Sequence, residues 1–364
     1  MVQFQKIAAR ECRLRTYCAA LQCRVSRLSC SASSNEPAPG RRPLVIATRP
    51  SRLAQEQTRQ VQQLLHAAAQ LRDETLQLST RELTSAGDAS PSAPLRSLGS
   101  GAFTEALDAA VLGGSADMAV HSLKDCPASL REGLVLAACL PRADPRDVLI
   151  AGSGAKSLGE LVPGSRVGTS SSRRAAQIRH SFPHLQVVQL RGNVEARLER
   201  IKAREISATV LALAGLQRLG CEELVSSVLS TDEMLPAACQ GAVGVVCRED
   251  DPWVRQLLSA ISHRPSFLEV SAERACLAAL LGSEEAGRGG QPFPDLAWGC
   301  NSRHDPEEGL MDIDCFVSDL EGKDLFRYSE FLRPVSFPED AEALGALWGN
   351  VLRMAAAGQG WVEV

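Results

Sequence analysis

The chain alternates short apolar runs with longer amphipathic stretches. The runs PLVIATR (43–49), ADMAVHSLKD (116–125) and LQVVQLRG (185–192) have the length and composition of buried strands that end in a polar loop. Between the first two, SRLAQEQTRQVQQLLHAAAQL (51–71) spaces its apolar residues as a helix does, with Ser51 as its N-cap. This alternation predicts βαβ units and a mainly parallel sheet.

A second βαβ series begins near Arg146, and the pattern changes again after residue 240 to a helix, a β-rich stretch and a final helix. The fold class is therefore α/β, with two lobes of mainly parallel sheet that flank a cleft, plus a C-terminal α+β unit. We expect the first domain to comprise 43–140 with 241–262, the second 146–235, and the third 263–364.

The first 42 residues differ in composition from the rest. They hold eight of the 39 Lys and Arg residues but only two of the 43 acidic ones, and they are rich in Ala and Ser. They contain no apolar run long enough for a secretory signal or a membrane span, a pattern typical of an organelle transit peptide. We expect this segment to be disordered and removed on import; a tail without a targeting role is the alternative.

Charge and cysteine content argue against several classes of function. The formal net charge of −4 argues against a nucleic-acid binder, and nothing in the sequence indicates a membrane partner. Four of the twelve cysteines fall in the leader, and the other eight form neither a C-x-x-C motif nor a zinc-site spacing with histidine. They are expected to be reduced core residues, with no metal site.

The segment GTSSSRRAAQIRH (168–180) places three serines and two arginines where a strand turns into a helix. One interpretation is local: the hydroxyls of Thr169 to Ser172 supply an N-cap, and Arg173 and Arg174 are solvated. The other is an anion site, since a helix N-terminus offers unpaired N–H groups and a partial positive charge.

Further arginines favour the anion interpretation. Arg49 and Arg191 follow apolar strands, and Arg197 and Arg218 lie on the helical segments that come next. Ligands of open parallel sheets bind beyond the carboxyl ends of the strands, and guanidinium groups bind carboxylates and phosphates in a bidentate manner. The segments GSGAFT and GSGAKS lack P-loop spacing, so several separate carboxylates fit better than a nucleotide.

The segment AVHSLKDCP (119–127) adds an acid–base element. After a buried strand, His121, Ser122, Lys124 and Asp125 are predicted to turn into the mouth of the cleft. A carboxylate beside an ammonium group stays ionised and can stabilise a cation that forms on a substrate. An ordinary polar turn ended by Pro127 is the equally weighted alternative.

A series of ordered blocks resembles the porphobilinogen deaminase (hydroxymethylbilane synthase) family over about residues 43–282: IATRPSRLA, DMAVHSLKDCP, DPRDVLI, GTSSSRR, LRGNVEARL, LALAGLQRLG, LPAACQGAVGV and ERACLAALLG. The resemblance implies two lobes like those of periplasmic solute-binding proteins. It also implies a transferase that condenses four porphobilinogens with release of ammonia, in the tetrapyrrole biosynthesis that leads to haem and chlorophyll. The family builds its product on a dipyrromethane cofactor attached to a cysteine.

By the same resemblance, Asp125 matches the catalytic aspartate. The positions that match the family's binding residues for substrate and cofactor carboxylates are Arg49, Ser51, Ser122, Lys124, Thr169, Ser170, Ser171, Arg173, Arg174, Arg191, Arg197 and Arg218. The family also implies a monomer with porphobilinogen as a small-molecule substrate.

The chain departs from the family pattern in three places. Arg96 and serines stand where the loop after Asp88 carries lysines in the family, and Cys239 replaces a usual glycine. The position of the cofactor cysteine holds Glu284 or Gln291, depending on the alignment, and neither can form a thioether. Cys300 is a weak substitute.

Two functional hypotheses follow. The first is a deaminase in an organelle, with the plastid favoured over the mitochondrion by the composition of the leader. The alternative is a non-catalytic relative that binds pyrrole carboxylates. If the loop is as written, we expect no covalent dipyrromethane and weak or absent deaminase activity.

Overall fold

Three β-sheets organise the chain in the computed structural model, which describes residues 42–72, 75–90, 101–282 and 295–362. The strands are β1 Leu44–Thr48, β2 Leu78–Glu82, β3 Met118–Ser122, β4 Leu134–Cys139, β5 Asp147–Ala151, β6 Arg166–Gly168, β7 Gln186–Val188, β8 Ala208–Ala212, β9 Ser227–Val228, β10 Val243–Arg248, β11 Leu296–Asp305, β12 Leu310–Asp319 and β13 Leu325–Pro334. The helices are α1 Arg52–Gln70, α2 Ala86–Ala89, α3 Glu105–Leu112, α4 Ser172–Ser181, α5 Val194–Lys202, α6 Leu213–Leu219, α7 Pro252–Ile261, α8 Arg264–Leu281 and α9 Pro338–Gly358.

The first sheet has the order β2-β1-β3-β10-β4. Strand β1 runs parallel to both of its neighbours, whereas β10 is antiparallel to β3 and β4. Side chains alternate along each strand between the two faces, so that Met118 and Val120 pack under α1 and α7, while Ala119 packs under α3. The sheet is thus covered on both faces, as its nearly continuous apolar strands predict.

The second sheet repeats this plan in the order β7-β6-β8-β5-β9. Strand β6 is parallel to β7 and β8, and β5 is antiparallel to β8 and β9. Helix α4 contributes Ile178 to one core, and α5 and α6 contribute Leu198 and Leu216 to the core of the opposite face. The predicted α/β class with two lobes is confirmed.

Two chain segments join the lobes: residues 140–146 lead from β4 to β5, and residues 229–242 lead from β9 back to β10. Each antiparallel inner strand, β5 or β10, directly follows one of these connections. Each sheet is therefore mixed, with two parallel and two antiparallel pairings, because the chain enters each lobe from its neighbour.

The third sheet, β11-β12-β13, is an antiparallel meander. Helices α8 and α9 pack on it, with Leu268 and Leu280 from α8 and Leu344 and Leu352 from α9 in one core. This agrees with the helix, β-rich stretch and helix expected for the C-terminal α+β unit. The strands of the three sheets fall within the predicted domain ranges, whose bounds stay a prediction.

Several expectations concern segments outside the described residues. They include nearly all of the predicted transit peptide, the position of Arg96, and the loop with Glu284 and Gln291. Within the described ranges, no helix combines the length and the apolar character needed to cross a membrane.

Candidate active site

The carboxyl ends of β1 and β3 bring the first group of predicted residues together. Arg49 follows β1 directly, and Ser51 caps α1 by accepting a hydrogen bond from the backbone N–H of Ala54 at 3.3 Å. Ser122 is the last residue of β3, and a 3₁₀ turn of residues 123–125 then carries Lys124 and Asp125. The strand and turn therefore present Lys124 and Asp125 at the edge of the sheet where Arg49 lies.

Arg49 is held by two neighbours. Its Nε and Nη2 donate to the carboxylate of Asp88 at 2.9 and 2.5 Å, and its guanidinium lies over the ring of Phe103, 4.3 Å from the centroid. Burial alone lowers the pKa of Arg49, but the bonds to Asp88 and the negative charges of Asp125 and Asp88 outweigh it and raise the pKa. Arg49 thus stays charged close to Asp125.

Lys124 lies close to charged residues of both lobes. Lys124 is accessible to solvent, yet desolvation lowers its pKa, and the nearby charges of Asp125, Arg174, Asp147 and Arg173 also act on it. The last three belong to the second lobe. Among the described residues, none donates a hydrogen bond to the carboxylate of Asp125, so its oxygens remain available to a ligand.

Arg173 and Arg174 converge on one buried carboxylate. Arg173 Nη2 donates to Asp147 Oδ2 at 2.7 Å, and Arg174 donates to the two oxygens of Asp147 at 3.2 and 2.7 Å. Gln240 Nε2 donates to Asp147 Oδ1 at 2.9 Å, and Arg173 Nη1 donates to the carbonyl of Leu235 at 2.6 Å. The interpretation of these arginines as solvated is wrong, because both are buried. Much of their donor capacity goes to the protein itself.

The hydroxyl groups of 169–171 make local contacts. Thr169 Oγ1 accepts from the N–H of Ser171 at 3.1 Å, and Ser171 Oγ caps α4 by accepting from the N–H of Arg174 at 3.4 Å. Ser170 Oγ donates to the carbonyl of Leu190 at 2.6 Å. These bonds build the turn and the N-terminus of α4, whereas a role of the hydroxyls in ligand binding stays a prediction.

Arg191 and Arg197 carry positive charge that the described residues do not neutralise. Arg191 Nη1 is buried and has no hydrogen-bond partner in the described part of the chain. Burial, together with the charges of Arg174 and Arg191, lowers the pKa of Arg197 to about 10, so it is still charged at neutral pH. Three neighbouring cations, one with an unsatisfied buried donor, are an arrangement that a bound anion would stabilise.

Ser122 and Arg218 lie at the margins of this cluster. Ser122 Oγ exchanges hydrogen bonds with the side-chain amide of Gln57 at 2.8 and 3.1 Å. Arg218 Nη2 donates to the carbonyl of Gly241 at 2.7 Å, in the connection between the lobes. Ser122 therefore anchors the turn of Asp125, and Arg218 stabilises the second interlobe segment.

One sequence-based expectation, for His121, needs correction, and the structure also places Cys300, the weak substitute for the cofactor cysteine. His121 does not turn into the cleft: it is buried in β3, with Nε2 3.0 Å from Asp108 Oδ1. Cys300 lies in the core of the third unit, 3% exposed. A hydrogen bond with Cys276 acts to lower its pKa, but burial raises the pKa of the Cys300 thiol to about 12. Cys300 is therefore a poor substitute for the missing anchor.

Asp147 and Asp88 were not among the site residues predicted from the sequence. Asp147 begins an apolar strand in DPRDVLI, and a carboxylate at the start of a strand buried on both faces needs a cationic partner. The acidic residue at the start of an apolar strand could therefore have indicated a buried ion pair, although the partners, Arg173 and Arg174, lie 26 and 27 residues away.

Comparison with known proteins gives one consistent result. A family model described as porphobilinogen deaminase, dipyromethane cofactor binding domain, matches residues 44–256. The porphobilinogen deaminase of Sorangium cellulosum is 44% identical over 85% of this chain and 98% of its own length. The chloroplastic enzyme of Oryza sativa subsp. japonica is 44% identical over 65% of this chain, which spans 66% of the rice protein. A periplasmic solute-binding protein from Desulfovibrio salexigens has a TM-score of 0.40 at 11% identity, covering 62% of this chain and 74% of its own.

Proposed function

The chain belongs to the porphobilinogen deaminase family, and we propose that its cleft condenses porphobilinogen units head to tail into hydroxymethylbilane, with one ammonia released for each unit. Such an enzyme is a transferase of tetrapyrrole biosynthesis. The observation that supports this most is the position of Asp125. It lies beside Lys124 and close to Arg49, and Lys124 in turn lies near the charges of Arg173 and Arg174 in the second lobe.

Asp125 is suited to stabilise positive charge on the substrate. When ammonia leaves, the methylene carbon becomes cationic in conjugation with the pyrrole nitrogen. A carboxylate that accepts no hydrogen bond from the described residues can oppose that charge. The same oxygens can take up and return the proton of the pyrrole nitrogen.

The arginines divide into two groups. Arg191 and Arg197 carry positive charges that no described carboxylate neutralises, and they are placed to bind the acetate and propionate arms of pyrrole units. Arg173 and Arg174 share Asp147, so they contribute one net positive charge and fix the start of α4. Arg49 and Lys124 would hold the carboxylates nearest to the reacting carbon.

The residues fit a dipyrromethane as a carboxylate ligand but not as a thioether adduct. The orphaned Nη1 of Arg191 and the uncompensated charge of Arg197 fit the acidic side chains of such a group. Residues 283–294 contain no cysteine, and Cys276, Cys300 and Cys315 of the third unit are buried. Bound dipyrromethane would supply the pyrrole carbon on which the first substrate condenses. We propose that this chain holds it without a covalent bond.

Ammonia release tests the proposed function. The purified full chain should release one ammonia for each porphobilinogen consumed. Asp125→Asn keeps the shape of the side chain but removes its charge, so turnover should fall about a hundredfold or more. Asp144→Asn, which changes a partly exposed carboxylate of the first interlobe connection, is the matched control and should stay within about twofold of the unmodified chain. A mutant with more than half of the activity would show that Asp125 is only a turn residue.

A plastid location is the finer proposal for the leader. Plant relatives are described as chloroplastic, and the composition of residues 1–42 is typical of a transit peptide. A fluorescent protein fused behind these residues should enter plastids. Retention in the cytosol would contradict the proposal, and import into mitochondria would select the alternative organelle.

A further inference from the structure

A buried pair of titratable side chains, His121 and Asp108, lies directly behind the turn that carries Asp125. His121 Nε2 and Asp108 Oδ1 are 3.0 Å apart, and the two side chains are only 2% and 4% exposed. Burying such groups costs free energy even when they are paired. A buried pair at the end of a strand therefore indicates a role that offsets this cost.

The pair acts on one face of the first sheet. His121 points from β3 toward α3, which carries Asp108, whereas the next residue, Ser122, bonds Gln57 of α1 on the opposite face. Both apolar cores of the sheet thus end in a polar pair beside the cleft. The strand end is held from two sides at the point where the turn of Asp125 begins.

The turn itself depends on this strand end. The N–H of Leu123 donates to the carbonyl of Ala242 at 3.1 Å, and the N–H of Cys126 donates to the carbonyl of Leu123 at 3.2 Å. These two bonds flank Asp125. A shift of His121 would therefore pass to Asp125 through the last residue of β3 and the single 3₁₀ turn of residues 123–125.

Helix α3 also adjoins the segment that supports Arg49. The segment before it holds Phe103, on which the Arg49 guanidinium lies, and Gly101, which approaches Pro127. Asp108 is thus fixed to the same element that supports Arg49. The His121–Asp108 pair ties the Asp125 turn to the support of Arg49, and so sets the spacing of the two charges.

From this geometry we infer that His121 and Asp108 are positioning residues for Asp125, an inference that rests on the proposed function. They do not touch the substrate. Their contribution is the fixed placement of the carboxylate that faces the developing cation, and small misplacements of catalytic groups cost large factors in rate.

Steady-state kinetics test the inference through the separation of kcat from KM. Asp108→Ala should lower kcat at least tenfold while KM stays within about twofold, since the carboxylate-binding arginines are unchanged. Asp108→Asn keeps an oxygen acceptor for His121 and should recover kcat to within about threefold of the unmodified chain. If Asp108→Ala fails to fold, His121→Gln removes the imidazole of the same pair instead, and it should lower kcat with little change in KM.

The matched control lies immediately before the same strand. Asp117, immediately before β3, pairs with Arg42 and accepts from the N–H of Val45 at 2.7 Å. Asp117→Ala should lower the melting temperature without changing kcat by more than twofold. If Asp117→Ala and Asp108→Ala reduced kcat alike, the role of the His121–Asp108 pair would be general stability, and the inference would be overturned.

Amide hydrogen exchange separates this inference from the proposed function, because it needs no turnover. In Asp108→Ala, the N–H groups of Leu123 and Cys126 should exchange at least tenfold faster than in the unmodified chain and in Asp117→Ala. Unchanged exchange in Asp108→Ala would refute the positioning role even in an active enzyme. Faster exchange in a chain without deaminase activity would support the role and refute the proposed function.

Discussion

Asp147 is the residue on which the second lobe's charges converge. It is fully buried, and two arginines and a glutamine bond its two oxygens. The local pattern of hydroxyls and arginines in GTSSSRR predicted an anion near the N-terminus of α4, and an anion is there, but it belongs to the protein. A sequence pattern identifies the chemistry of a site well, yet it does not identify the partner when that partner is distant in the chain.

Asp147→Asn should destabilise the protein by about 3–5 kcal/mol, because it leaves Arg173 and Arg174 buried without a counter-charge. Chemical denaturation at neutral pH measures this loss. Asp144→Asn is the control, since it removes a half-exposed partner of Arg146 and should cost less than about 1 kcal/mol. Equal losses in the two variants would show that the buried charges are hydrated in solution.

The same carboxylate predicts a pH dependence. The charges of Arg173 and Arg174 outweigh desolvation and hold the pKa of Asp147 well below its usual value. A lowered pKa in the folded state stabilises the protein above the unfolded pKa of about 3.9, and this stabilisation is lost as the pH falls below it. The free energy of unfolding should therefore decline from about pH 4 downward, and the decline should be smaller in Asp147→Asn.

Arg197 offers the sharpest test of the arginine cluster. Arg197→Gln should weaken binding of a synthetic dipyrromethane with acetate and propionate arms by about 1.5–3 kcal/mol, the usual range for hydrogen bonds to charged groups. Arg200 lies on the same helix, is exposed and pairs with Glu205. Arg200→Gln should therefore leave the affinity of the protein for the dipyrromethane unchanged. Isothermal titration calorimetry provides both values. Equal affinities in all three proteins would remove Arg197 from the site.

At the scale of elements, much of the fold was predictable from local patterns. The apolar run before Arg49 and the helical spacing after Ser51 correspond to β1 and α1. The antiparallel direction of β5 and β10 was not predictable, because it depends on which lobe the chain comes from rather than on the composition of the strand. His121 was misplaced for a related reason: only the neighbouring α3 shows that its side chain is buried.

The two interlobe connections meet at Gly241, which has φ +89° and no room for a side chain. An added Cβ would collide with the carbonyl oxygen of Ala143 in the other connection. Gly241→Ala should therefore cost clearly more than the roughly 1–2 kcal/mol expected for a left-handed conformation alone. Gly220→Ala is the control, since Gly220 has φ +70° with open space around it. Similar unfolding free energies for both variants would contradict the close approach of the connections.

At the scale of the whole molecule, the sequence indicated the two lobes, the arginine-rich cleft and the position of Asp125 through strand ends and ordered motifs. It did not indicate which arginines keep free charge. In the structure Arg173 and Arg174 bond Asp147, whereas Arg191 Nη1 has no partner among the described residues, and we therefore propose Arg191 and Arg197 as the ligand residues. The difference arises because Asp147 satisfies whichever arginines reach the base of the cleft, and this depends on tertiary packing.

We propose that this cleft binds a polypyrrole through its arginines and without a thioether. Mass spectrometry of the full chain, purified from a host that makes porphobilinogen, tests it when native and denaturing spectra are recorded from one sample. We expect a mass increment of at least two linked pyrrole units in the native spectrum and its loss on denaturation. An increment that survives denaturation and disappears in Cys300→Ala would establish a covalent anchor, and the absence of an increment from both spectra would contradict the binding site itself.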